Sequence, residues 1–111
     1  MAVINYTAAD PAKFDSNLSV ITWPAMANGD TGQPLEMSGW GDRSVQTIGG
    51  TVTIEGSNDG VTYFTLTDAS NTAISSATAY LKQVTEITKF IRPNVTGVGG
   101  AQAILVIKRR I

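Results

Sequence analysis

Apolar positions along this chain recur at every second residue rather than at every third or fourth. Thr51-Val52-Thr53-Ile54-Glu55 alternates strictly, so an extended backbone puts Val52 and Ile54 on one face and polar side chains on the other. β-Branched residues suit such a pleated, half-buried surface. Ser57-Asn58-Asp59-Gly60 follows and predicts a turn, with Gly60 free to take the positive φ of a tight hairpin. Val61–Leu66 predicts the returning strand. Further strands are predicted at Leu18–Trp23, ended by Pro24, and at Leu35–Met37. Others lie around Val45 and Ile48 up to Gly49-Gly50, around Ala73-Ile74 and Ala79–Leu81, and at Thr85–Arg92, stopped by Pro93. After the loop Gly97-Val98-Gly99-Gly100, Ala101–Ile107 carries consecutive apolar residues, which predicts a strand buried on both faces.

No helical stripe is sustained. Asp10-Pro11-Ala12-Lys13-Phe14 predicts a single turn, with Asp10 as N-cap and Pro11 at the first helical position. About seven or eight short, mostly antiparallel strands with frequent turns predict an all-β domain, a β-sandwich or a small barrel. Residues 1–43 are poorly periodic and hold Pro11, Pro24, Pro34 and the turn cluster Asn28–Gly32. This part is expected to be extended or to form an interface, and residues 44–111 to form the β-rich core.

Composition narrows the chemistry. With 111 residues there is room for one domain, which buries about two-thirds of its unfolded surface. Cysteine and histidine are both absent, which excludes disulfides, thiol nucleophiles, Cys/His zinc sites and His-dependent triads. A net charge of −1 supplies no field to steer nucleic acid or an anionic membrane. No apolar run reaches the roughly 20 residues of a membrane helix, and Met1–Asp10 lacks the pattern of a secretory signal, so synthesis in the cytoplasm is expected. Charged residues make up only 15% of the chain, which suits a protein with large interfaces.

The candidate reactive groups have bland readings. Asp30, Asp42, Asp59 and Asp68 adjoin small residues and are expected to bond their own turns, while Glu55 is expected to be solvated on a strand face. Asn28-Gly29-Asp30 and Asn58-Asp59 do not complete a calcium loop, so no metal or cofactor is expected, and no catalysis. Trp23, Trp40 and Tyr63 could stack on sugar rings, but a Trp before a proline at a strand end, as Trp23 is, more often packs in a core or an interface, and Trp23 and Trp40 are the interface candidates. Lys108-Arg109-Arg110, the one basic cluster, either meets an acidic partner or keeps the last strand from pairing as an edge.

The hairpin Ile54-Glu55-Gly56-Ser57-Asn58-Asp59-Gly60-Val61-Thr62-Tyr63-Phe64-Thr65-Leu66, then Ile91-Arg92-Pro93, a glycine-rich loop and an apolar strand ending in basic residues together resemble small structural proteins of tailed bacteriophages. Head decoration (cement) proteins are of this kind. The resemblance spans roughly Ser44–Arg110. It implies a virion protein on the outer capsid that binds the major capsid protein, commonly as a homotrimer, with no catalytic residues. The hairpin alone is also similar to discoidin-like carbohydrate-binding β-sandwiches. A tail or neck component of the same fold is a further alternative.

Overall fold

Strand alternation is realised as pairing in the computed structural model of the protein, which describes residues 2–9, 18–37, 39–97 and 99–109. The first strands are β1 (Val3–Ile4), β2 (Thr7–Ala9), β3 (Leu18–Met26), β4 (Thr31–Gly32), β5 (Leu35–Glu36) and β6 (Trp40–Ile48). They are followed by β7 (Val52–Ser57), β8 (Phe64–Thr65), β9 (Ser75–Ser76), β10 (Tyr80–Gln83), β11 (Phe90–Val95) and β12 (Ala101–Arg109). The helical turn predicted at Asp10–Phe14 lies outside the described residues. Five of these twelve strands have only two residues, which is why periodicity alone predicts fewer.

Two sheets form. One runs β1-β4-β11-β7-β8, with β5 also on β11 and β9 also on β7; the other runs β10-β6-β12-β3-β2. All pairings are antiparallel except β1 with β4. Ile21, Trp23, Val45, Leu105 and Ile107 from one sheet and Val52, Ile54, Ile91 and Val95 from the other share a single buried core. Polar bonds cross between the layers as well: the Tyr80 hydroxyl donates to Val52 O at 2.9 Å, and Trp23 Nε1 donates to Gln33 O at 2.9 Å. The architecture is that of an all-β sandwich.

Several local expectations are corrected. Neither proline ends its strand. Pro24 sits inside β3 where the β2 ladder has stopped at Thr22 and the β12 ladder shifts register, so no partner awaits its missing N–H. Pro93 pairs with Ile54 in a strand flanked on both sides. Lys89 O accepts from Met37 N and Val95 N donates to Asp30 O, so odd-numbered residues of β11 turn their polar groups toward β4 and β5. The Pro93 nitrogen therefore faces the gap between these two short strands. Thr85–Lys89, expected within a strand, precedes β11 as irregular chain.

β12 is buried on one face only. Ala101, Ala103, Leu105 and Ile107 point into the core, whereas Gln102, Ile104 and Val106 are half-buried on the other side. Nor does the chain divide at residue 43, because β6 runs through it and β3 lies beside β12. Ile21, Trp23, Met26, Leu35 and Met37 all belong to the core.

Candidate functional site

The β7–β8 hairpin forms, but its connection is longer than the sequence suggests. Glu55 pairs with Thr65 and Gly56 with Phe64, while Val61-Thr62-Tyr63 stays in the loop. Asp59 organises it. Its Oδ1 accepts from Val61 N at 2.8 Å, Thr62 N at 2.8 Å and Ser57 Oγ at 2.7 Å. Ser57 Oγ accepts in turn from Gly60 N at 2.9 Å. The backbone donors of Val61 and Thr62, then the Ser57 hydroxyl, hold the Asp59 pKa down to about 2. Gly60 has φ 79° and packs against Phe90, as the turn chemistry anticipates.

The loop folds back onto the outside of its sheet. Arg92 lies over the Tyr63 ring at 3.8 Å, and its Nε donates to Glu55 Oε1 at 3.0 Å. Asn94 Nδ2 donates to Glu55 Oε2 at 3.2 Å, so Glu55 is paired rather than simply solvated. Burial raises the Tyr63 phenol pKa, against the opposing pull of the Arg92 charge.

Beside this loop lies an open cleft of about 460 Å³, bounded by Asn58, Asp59, Thr62, Phe64, Glu86 and Thr88 among others. Phe64 pairs with Gly56, two residues from buried Ile54, and so shares the core-facing side of the sheet. It is nonetheless 70% exposed. Leaving a phenyl ring open forgoes roughly 1–2 kcal/mol of burial. Across the cleft the Glu86 carboxylate accepts from the Thr67 amide at 2.8 Å and the Thr67 hydroxyl at 2.6 Å. Burial pushes the Glu86 pKa up, but these two donors outweigh it and leave the group below its ordinary value. Asn58 Oδ1 accepts from Lys89 N at 3.1 Å.

The outer face of the five-stranded sheet is the second feature. Register places Leu81, Gln46, Ile104, Thr22 and Thr7 in one row, and Gln83, Ser44, Val106 and Val20 in the next. Neither row contains a charged residue. Leu81 is 71% exposed and Ile48, on the same side, 46%. Among the described residues of this face, charge enters only toward one end, where Asp42 and Lys108 border a shallower hollow of about 340 Å³.

The predicted residues separate accordingly. Ser57, Asn58, Asp59 and Gly60 form the turn. Trp23, a candidate for an interface, is buried in the core and has no face to offer a partner. Trp40 is half-buried and packs on the same core. Lys108 is exposed at the end of the open sheet face, while Arg110 lies outside the described residues. Arg109 pairs with Trp40 in β12, a central strand, so Lys108 and Arg109 do not guard an edge. Asp30 and Asp68 do bond nearby turn amides, from Ala27 and from Ser70 and Thr72 respectively, whereas Asp42 lies in β6. Phe64 and Leu81 were missed as surface features, because alternation marks apolar residues without showing which ones lack cover.

Among the described residues no three His, Cys, Asp or Glu side chains are grouped to hold a metal ion. Among them, too, no helix is long and apolar enough to cross a membrane. No family model, curated protein or solved structure matches the chain.

Proposed function

We propose that this protein is a non-enzymatic structural component of a bacteriophage virion: a capsid decoration protein that self-associates and binds the major capsid protein on the outer shell. The observation that carries this reading is the open face of the five-stranded sheet. Two rows of side chains without a charge, with Leu81 standing exposed, make a surface that can be dehydrated without stripping water from ions. The resemblance of the hairpin, the Ile91-Arg92-Pro93 segment and the last strand to tailed-phage proteins points the same way. A closed trimer follows if this face meets a different patch on the next copy and the rotation closes.

Light scattering after size exclusion should give a mass near three times 11.7 kDa. Alternatively, that stoichiometry should arise on the shell when the protein is added to capsids lacking it. Ile104→Lys combined with Leu81→Lys should abolish the association while leaving the fold intact. A strictly monomeric protein that neither binds capsids nor raises their heat resistance would refute the proposal. Co-sedimentation with tails instead of heads would replace decoration by a tail or neck role.

A further inference from the structure

The cleft beside the β7–β8 loop is independent of the open sheet face and of any assembly built on it. Its volume of about 460 Å³ falls within the roughly 300–1,000 Å³ of small-molecule sites. The described residues that line it include two carboxylates, Asp59 and Glu86, and no Lys or Arg. Asp59 receives its Val61, Thr62 and Ser57 donors at Oδ1, which leaves Oδ2 to accept from a ligand. Glu86 takes one Thr67 donor at each oxygen, and each oxygen keeps a further lone pair. Backbone and hydroxyl donors hold both groups below their ordinary pKa values, so both are charged at neutral pH. The hydroxyls of Ser57 and Thr88 already donate, to Asp59 Oδ1 and to Phe90 O. The apolar part of the lining is the Phe64 ring, 70% exposed although its strand turns it toward the interior side of the sheet. Cations of neighbouring strands are engaged elsewhere: Arg92 with Glu55 and Tyr63, Lys82 with Asp68 at 3.2 Å, and Lys89 over the Phe90 ring at 5.6 Å.

We propose that this cleft binds an organic cation, an ammonium or guanidinium group on an aliphatic stem, with the charge held by Asp59 and Glu86 and the stem lying on Phe64. Such a head group only donates, which complements two carboxylates that only accept. Its positive charge is drawn by two fixed negative charges and by the π face of a phenyl ring. The methylenes behind the charge supply the apolar contact that Phe64 lacks. An inorganic cation makes no use of the ring, and an anion is repelled. The loop is held by its own hydrogen bonds before any ligand arrives, so little ordering cost falls on binding. A free polyamine and a lysine or arginine side chain of a partner protein carry the same chemistry, and titration separates the two.

The test is a titration of isotope-labelled protein at low salt, followed by amide chemical shifts. The probes are putrescine, spermidine, the capped tripeptides Gly-Arg-Gly and Gly-Lys-Gly, and Gly-citrulline-Gly, in which a neutral urea replaces the guanidinium. At least one cationic probe should shift the amides of Asn58–Thr65 and Glu86 saturably, with a millimolar affinity that weakens as salt rises. Polyamines binding more tightly than the tripeptides would assign a free amine as the ligand. Tripeptides binding as tightly or more tightly would assign a partner's side chain, and either result supports the site. The citrulline peptide should not bind. Phe64→Leu keeps an apolar side chain but removes the ring, and should weaken binding roughly twofold to fivefold. Glu86→Gln keeps an oxygen for the Thr67 amide and a polar group for its hydroxyl but removes the charge, and should weaken binding roughly fivefold. Amide shifts in β3 and β12 report whether each variant keeps its fold, and the citrulline comparison needs no variant at all. Absence of saturable shifts with every cationic probe would overturn the proposal. So would equal binding of the citrulline peptide, affinity insensitive to salt, or affinity unchanged by either substitution in a folded protein. None of these outcomes bears on trimerisation or capsid binding.

Discussion

Gly60 shows how one residue can set a loop. A valine there would have to hold φ near 79°, with its Cβ about 3.2 Å from Phe90 Cε2. Such strain costs about 1–3 kcal/mol, so Gly60→Val should lower the urea midpoint at constant m. Tyr80 gives the molecule an alkaline limit. Burial pushes its phenol well above the ordinary value of 10.0, outweighing the bond with Thr47, and the hydroxyl donates to Val52 O. The folded state thus keeps a proton that the unfolded chain releases. The stability this supplies is whole below pH 10.0 and is lost as pH rises beyond it. Tyr80→Phe should cost about 1 kcal/mol at neutral pH and flatten the alkaline limb of the stability profile. Asp59 acts with the opposite sign. Its contribution is present above the ordinary 3.8 and is lost as pH falls toward about 2, a limb that Asp59→Asn should remove. Glycine and aspartate in this turn were legible from sequence because turn chemistry is local. The phenol was not, because its burial depends on another sheet.

At the scale of elements, β11 and β3 are the informative strands. Each contains a proline, and each continues past it because the missing N–H faces no ladder. For Pro93 the space is supplied by Gly32, where an added Cβ would stand 2.5 Å from Pro93 Cδ and 2.5 Å from Trp23 Cδ1. Overpacking of this kind costs about 1–3 kcal/mol and often more when backbone must move. Gly32→Ala should therefore lower the thermal midpoint, although Gly32 has no positive φ and alanine normally suits a strand better. An unchanged midpoint would mean that β4 can shift away from β11 at no cost. Proline reads as a stop in sequence because only the surrounding sheet reveals whether its nitrogen has a partner to lose.

For the whole molecule, the decisive feature is that β12 lies between β6 and β3, joining distant parts of the chain. Residues 18–37 are thereby core rather than appendage. Native-state hydrogen exchange should give amides of β3 and β12 similar protection, both opening with global unfolding. Early exchange of β3 alone would show that it peels away from the sheet. Pairing between distant segments also predicts slow refolding for a domain of this size, measurable by stopped flow.

Alternation, turn chemistry and the absence of cysteine and histidine determine, without any structure, that this chain is all-β, rich in turns and free of thiol and imidazole chemistry. These properties follow from residues within a few positions of one another, where side-chain period and φ preference act directly. The burial of Trp23, the passage of two strands through proline and the exposure of Phe64 and Leu81 were decided only by tertiary structure. A sequence pattern states which residues share a face. What covers that face depends on strand order and sheet packing, which bring together segments far apart in the chain. The open sheet face, on which the proposed role rests, is set at that level.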